Sequence, residues 1–96
     1  MPALASRLRG EYIIGMKLYV KVWCPWCVDA VNWLKIRGYR YEQIDVLANK
    51  ADYDHMKAIS GQRLTPTLEL DSGEVLPDFD VRQLEKFLAA HNIQPG

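Results

Sequence analysis

The segment Cys24-Pro25-Trp26-Cys27 constrains this chain most, because it holds both cysteines of the sequence, three positions apart. A strand-like run at 18–23 precedes it, and a helix-like run at 28–37 follows it. In the first turn of a helix, residues i and i+3 lie roughly 5–6 Å apart, within the range that a disulfide requires. The position therefore predicts two thiols that can bond and separate with little movement of the backbone.

The two cysteines are expected to differ in reactivity. The start of a helix carries unpaired N–H groups and the positive end of the helix dipole, which favour a thiolate. Cys27 shares a helical stripe with Val31 and Leu34 and should face the core, whereas Cys24 should lie at the open end of the helix. We therefore predict that Cys24 attacks a disulfide and that Cys27 resolves the mixed disulfide.

Length and charge exclude several classes of protein. Ninety-six residues suffice for one domain with its own core. Twelve basic residues balance twelve acidic ones, so no overall field attracts nucleic acid. No stretch approaches the roughly 20 apolar residues of a membrane span, and residues 1–15 lack the apolar core of a secretory signal. We expect a monomer in the cytoplasm, a reducing compartment, with no nucleic-acid or membrane partner.

Hydrophobic periodicity predicts the order β-α-β-α-β-β-α within a single domain at 16–96. Residues 1–15 lack periodicity and are expected to form a poorly ordered extension. Alternation of Leu18, Val20 and Val22 with more polar residues predicts a first strand at 17–22 with one buried face. Asp80 is a good N-cap for the last helix. The elements between them are a strand at 39–46, a helix at 49–60 and a hairpin at 67–76.

Metal binding is the alternative for the cysteine pair. Structural zinc needs two further ligands, and His55 and His91 stand at no recognised metal spacing. We therefore expect redox chemistry at the pair and no bound metal.

Two other positions admit two interpretations each. On spacing alone, Lys21 is better explained as a solvated strand lysine, although a cation there would stabilise a thiolate and attract a carboxylate. Pro66 either begins a strand, where no N–H is needed, or forms a cis peptide that leaves the Thr65 backbone to pair with an extended substrate. Of the nearby aromatic residues, Trp33 is expected in the core and Trp26 in a substrate groove.

Residues 16–91 together resemble a glutaredoxin of the thioredoxin-fold superfamily. Several features occur in the order found in that family: a lysine three residues before the first cysteine, Cys-Pro-aromatic-Cys, a stretch ending in Ile44-Asp45-Val46, Ser60-Gly61-Gln62-Arg63, and Thr65-Pro66. The resemblance implies an α/β thioredoxin-like fold, with a four-stranded mixed sheet flanked by three helices and a cis peptide before Pro66.

The resemblance also implies a thiol–disulfide oxidoreductase that uses glutathione as co-substrate, with no tightly bound cofactor. Its partners would be glutathione and proteins that carry disulfides or glutathione adducts. Glutathione would be held as a mixed disulfide on Cys24. The implied binding residues are Lys21 and Arg63 for the glycine carboxylate, Thr65 beside cis-Pro66 for the cysteinyl backbone, Trp26 as an aromatic wall, and Asp80 for the γ-glutamyl end.

One departure from the family pattern keeps alternatives open. Leu76-Pro77 stands where the family commonly has Gly-Gly, and glycine allows the backbone to approach a ligand closely. A glutaredoxin-like protein recycled by thioredoxin reductase is therefore the main alternative. A carrier that binds an iron–sulfur cluster between two subunits through Cys24 and glutathione is disfavoured by the rigid Pro25. A regulatory binder without turnover is disfavoured by the intact cysteine pair.

Overall fold

A computed structural model describes residues 15–96, which form four strands and three helices in the predicted order. The expected disorder of residues 1–15 lies outside this range, except for Gly15, whose carbonyl accepts a hydrogen bond from the Asp71 N–H at 2.9 Å. The elements are β1 (Met16–Val20), α1 (Pro25–Ile36), β2 (Glu42–Asp45), α2 (Lys50–Ser60), β3 (Thr67–Leu70), β4 (Val75–Pro77) and α3 (Val81–Ala90).

The four strands form one mixed sheet in the order β2-β1-β3-β4. Strand β1 pairs in parallel with β2, so that Val20 lies opposite Asp45. It pairs antiparallel with β3, and β3 pairs antiparallel with β4. This arrangement confirms the predicted thioredoxin-like fold, in which the central strand β1 delivers the chain to Cys24.

Both faces of β1 are covered, which corrects the prediction of a single buried face. Leu18 and Val20 pack in a core with α1 and α3, whereas Tyr19 points to the other face and packs with Val46 and Met56. The strand also ends at Val20, and Val22 is 71% exposed. The alternation rule assumes one solvated face, and a central strand between two helical layers has none.

Each helix begins at a capping residue. Helix α1 starts at Pro25, and Cys24 is its N-cap, which agrees with the predicted place of Cys24 at the start of the helix. Asn49 caps α2, and its side chain accepts from the Asp52 N–H. Asp80 caps α3 as predicted and forms a reciprocal capping box with Gln83. Within residues 15–96, no helix is both long enough and apolar enough to cross a bilayer.

Candidate active site

The Cys24 sulfur lies at the N-cap of α1, where helix geometry brings Cys27 beside it. Its Sγ accepts a hydrogen bond from the Cys27 backbone N–H at 3.3 Å. The Cys24 backbone N–H bonds to the Lys21 carbonyl at 3.0 Å, which fixes the turn between β1 and α1. Pro25 occupies the first helical turn, where its missing N–H costs no hydrogen bond. Both cysteines are free thiols.

The pKa values of the two thiols are shifted in opposite directions. Burial opposes ionisation of Cys24, but hydrogen bonds from the Cys27 side chain and N–H, the Thr65 side chain and the Trp26 N–H outweigh it and lower the pKa of Cys24. Burial, followed by the interaction with Cys24, raises the pKa of Cys27 to about 11. The site therefore favours a thiolate at the first cysteine and a protonated thiol at the second.

Cys24 is less open than the sequence suggests. The residue is 4% exposed, against 2% for Cys27, and its Sγ lies 3.6 Å from the Thr65 carbonyl oxygen. It is reached through a groove of about 320 Å³. The groove is lined by Lys21, Trp23, Cys24, Pro25, Trp26, Leu64, Thr65 and Asp78.

Cys27 lines a different cavity, of about 220 Å³, to which Asp45 and the apolar side chains of Val22 and Val28 also contribute. Lys21 contributes to both this cavity and the Cys24 groove. The two cysteines therefore line different cavities, which share Lys21.

The loop that carries Thr65 and Pro66 is held by a polar network centred on Gln62. The peptide bond between Thr65 and Pro66 is cis. The Gln62 amide donates to the Ser60 hydroxyl at 3.0 Å and to the Thr67 hydroxyl at 3.1 Å, and its oxygen accepts from the Leu64 N–H. Gln62 was not predicted as a functional residue, because its partners Ser60, Leu64 and Thr67 form a network only when the loop is folded.

Lys21 is buried, which corrects its interpretation as a solvated strand lysine. It is 8% exposed, and its Nζ donates to the Arg63 carbonyl at 3.1 Å. The ammonium also lies 5.1 Å from the ring centroid of Tyr53 and 5.7 Å from that of Trp23. Two aromatic faces and a carbonyl hold this charge at the wall of the Cys24 groove.

The remaining predicted residues lie in cavities that adjoin this groove. Asp80 lines one with Trp26 and Asp78, both of which also line the Cys24 groove. Arg63 lines another, which shares Leu64 with that groove. The Cys24 groove and the two cavities beside it therefore carry basic residues on one side, Lys21 and Arg63, and acidic residues on the other, Asp78 and Asp80.

The aromatic residues divide largely as expected. Trp26 is 59% exposed at the groove, as expected, whereas Trp33 is half-buried, packs against the core and stacks on Tyr39 at a centroid distance of 5.6 Å. Trp23 is 68% exposed and adds a second aromatic wall.

In the loop before α3, the unusual backbone is not at Leu76 or Pro77, where the sequence departs from the family pattern, but at the next residue. Leu76 packs partly against the core and Pro77 ends β4. The left-handed backbone is at Asp78, with φ 49°. Aspartate tolerates this region better than most residues, so the chain makes the turn without glycine.

No three side chains of His, Cys, Asp or Glu within residues 15–96 are grouped as a metal site would require. The Cys24–Cys27 pair and the groove beside Cys24 form the candidate site in this part of the chain. The arrangement suits a nucleophilic thiolate at Cys24 and a second thiol, Cys27, that can form a disulfide with it.

Comparison with known proteins gives a consistent result. The family model described as Glutaredoxin matches residues 16–75. An uncharacterised glutaredoxin-like 8.6 kDa protein in the rubredoxin operon of Clostridium pasteurianum is 23% identical over 73 residues, which cover 76% of this chain and 96% of that protein.

Solved structures share the fold. The thioredoxin-like protein BC3987 superposes with a TM-score of 0.69 at 30% identity and covers 76% of this chain and 99% of its own. A glutaredoxin from Archaeoglobus fulgidus gives a TM-score of 0.70 at 18% identity, covering 79% and 87%. Buckwheat glutaredoxin in complex with glutathione gives 0.62 at 16% identity, covering 82% and 72%.

Proposed function

The chain belongs to the glutaredoxin family of thiol oxidoreductases, and we propose that it reduces protein disulfides and glutathione mixed disulfides with glutathione as co-substrate and no tightly bound cofactor. The proposal rests on the opposite pKa shifts of the two thiols. The pKa of Cys24 is lowered, and that of Cys27 is raised. Of the two thiols, Cys24 is therefore the better prepared to attack as a thiolate.

Reduction of a protein disulfide takes two exchanges. The Cys24 thiolate attacks one sulfur, a mixed disulfide forms, and the other sulfur leaves as a thiolate that takes a proton from water. Cys27 then loses its proton and attacks the Cys24 sulfur, which forms the Cys24–Cys27 disulfide and releases the second substrate thiol. Two glutathione molecules reduce this disulfide and leave as glutathione disulfide.

A glutathione mixed disulfide requires Cys24 alone. Its thiolate takes the glutathionyl group and releases the protein thiol, and a second glutathione then attacks the adduct. The second attack releases glutathione disulfide and restores the Cys24 thiolate, so this route predicts that activity on glutathione adducts does not require Cys27 as a resolving thiol.

The polarity of the groove supports glutathione as the ligand. Glutathione carries a free carboxylate on its glycine and an ammonium with a carboxylate on its γ-glutamyl residue. Lys21, assisted by Arg63, would bind the glycine carboxylate, and Asp80 would receive the γ-glutamyl ammonium. The backbone of Thr65, beside cis-Pro66, would pair with the cysteinyl residue, and Trp26 would wall the groove. Buckwheat glutaredoxin, of the same fold, has been solved in complex with glutathione.

A second candidate is a protein-disulfide reductant recycled by thioredoxin reductase. It is favoured by Asp78, whose side chain lines the Cys24 groove and the cavity of Asp80, where a glycine would leave more space for glutathione. The exposed rings of Trp23 and Trp26 beside Cys24 suit a protein surface as well as a tripeptide.

A coupled assay separates the two. The purified protein would be supplied with glutathione, glutathione reductase, NADPH and a small glutathionylated disulfide, and NADPH oxidation would be followed. We expect turnover that is lost in Cys24→Ser. Absence of turnover, together with activity when thioredoxin reductase replaces the glutathione system, would establish the second candidate instead. Inactivity in both systems would refute the enzyme assignment.

A further inference from the structure

Lys57 lies outside the roles assigned so far, yet it lines a cavity of about 610 Å³ that adjoins the Cys24 groove. Gly61, Gln62 and Arg63 also line this cavity, and Leu64 is common to it and the groove. The surface available to a ligand bound at Cys24 therefore continues past Leu64. We refer to this continuation as the Lys57 cavity.

A cluster of cationic residues adjoins the Lys57 cavity: Lys57 and Arg63 line it, and Lys21 shares an aromatic neighbour with Lys57. The ammonium groups of Lys57 and Lys21 lie 5.0 Å and 5.1 Å from the ring centroid of the same residue, Tyr53. The Tyr53 hydroxyl donates to the Arg63 backbone carbonyl at 3.4 Å, which ties this ring to the loop that lines the cavity.

The cluster is only partly neutralised. Asp54 is 3.4 Å from the Lys57 ammonium, but Lys50 holds the same carboxylate at 2.6 Å. The two lysines and two aspartates of α2 balance overall, but the residues that line the Lys57 cavity include two cations, Lys57 and Arg63, and no carboxylate. An anionic group in the Lys57 cavity would complement these cations.

Glutathione is too short to use the whole surface if it binds as proposed. Its glycine, the last residue, would end at Lys21 beside the Cys24 groove. Each further residue of an extended chain adds about 3.3 Å. A peptide that enters the Lys57 cavity must therefore continue beyond the position of the glutathione carboxylate.

We propose that the protein's preferred substrates are extended peptide disulfides with an acidic side chain two to four residues C-terminal to the reactive cysteine. This proposal rests on the disulfide-reductase function proposed above. The acidic side chain binds in the Lys57 cavity, while the cysteine lies at Cys24.

The position of the acidic residue follows from strand direction. A peptide pairs with the backbone of residues 63–65 antiparallel, because this orients it like glutathione, with its C-terminal side toward the cations. With its cysteine beside Thr65, the next residues pass Leu64 and Arg63 in turn. The side chain that reaches Lys57 is then C-terminal to the cysteine.

The expected effect is small and depends on salt. The Lys57 side chain is 47% exposed, so an ion pair with it is screened by solvent. Exposed pairs of this kind change a rate or affinity by about two- to fivefold at low ionic strength. The preference should disappear at high salt.

The test uses symmetric disulfide dimers of an acetylated and amidated peptide, so that attack on either sulfur leaves the same adduct. The residue three positions after cysteine is Glu, Gln or Lys, and a second set places Glu three positions before it. Each dimer oxidises the reduced protein and yields two peptide thiols, and the second-order rate is measured by separating the products.

We expect the order Glu, Gln, Lys for the C-terminal position, and no preference for Glu at the N-terminal position. Lys57→Gln should abolish the order and Lys57→Glu should reverse it. Lys35→Gln is the matched control: Lys35 lies in the last turn of α1, away from Cys24 at its start, and the order should stay.

The outcomes separate the two proposals. Failure of every dimer to oxidise the protein would contradict the disulfide-reductase function. Oxidation by all dimers at equal rates, a preference for the N-terminal acid, or an order that persists in Lys57→Glu would overturn the substrate preference alone.

Discussion

The sulfur of Cys24 faces the carbonyl oxygen of Thr65 at 3.6 Å, although 41 positions separate the two residues in the chain. As a thiol, Cys24 donates to this oxygen. As a thiolate it no longer does. The carbonyl oxygen has a second lone pair, so it is an acceptor for a peptide N–H beside the attacking sulfur in either state.

Replacement of either cysteine should separate the two activities. Cys24→Ser removes the nucleophile and should reduce turnover of every disulfide to the uncatalysed rate. Cys27→Ser leaves the nucleophile but removes the resolving thiol, so reduction of protein disulfides should stop while removal of glutathione from adducts continues. Coupled assays with both substrate types measure this, and wild-type rates in Cys24→Ser would refute the mechanism.

The pH dependence of alkylation should report the lowered pKa of Cys24. Iodoacetamide reacts with the thiolate, so in Cys27→Ser the rate should reach half its maximum below the pH of an ordinary thiol, whose pKa is near 8.5. Cys27→Ala also removes the side-chain hydrogen bond that lowers this pKa. Its midpoint should therefore lie higher than that of Cys27→Ser, and identical midpoints would show that the Cys27 side chain has no such effect.

Loss of the Gln62 amide should loosen the loop that carries Thr65. Gln62→Ala removes the bonds to the Thr67 hydroxyl and to the exposed Leu64 N–H, at an expected cost of about 0.5–1.5 kcal/mol. Urea unfolding measures the loss. Gln43→Ala is the control, because that side chain accepts only a 3.4 Å bond from Tyr41 among the described residues. Equal stabilities of the two variants would argue against the bracing role.

Asp80 has a capping role and a proposed binding role, which two substitutions should separate. Asp80→Ala removes both and should cost about 1 kcal/mol of stability, whereas Asp80→Asn keeps an N-capping oxygen and should cost only a few tenths. Both should raise the KM for glutathione severalfold, because both remove the carboxylate. An unchanged KM in Asp80→Asn, with its stability retained, would exclude Asp80 from glutathione binding.

Local signals predicted the parts of the fold that local interactions determine. The N-cap at Asp80 and the core position of Cys27 depend on side chains within one helical turn, and both were read from spacing. The order of elements followed from hydrophobic periodicity in the same way.

Features that depend on distant residues were missed or misjudged. The burial of Lys21 depends on Tyr53 and the Arg63 carbonyl, which reach it only when α2 packs beside the end of β1. The exposure of Val22 depends on where β1 ends. Asp78 adopts the left-handed backbone that glycine usually supplies, and it follows directly after Leu76-Pro77, the pair at which the sequence departs from the family pattern.

The two cysteines line different cavities, and the one beside Cys24 is the larger of the two. A reagent that fills the Cys24 groove and reacts there does not occupy the space beside Cys27. An inhibitor of this kind would cap the first sulfur and leave the second intact.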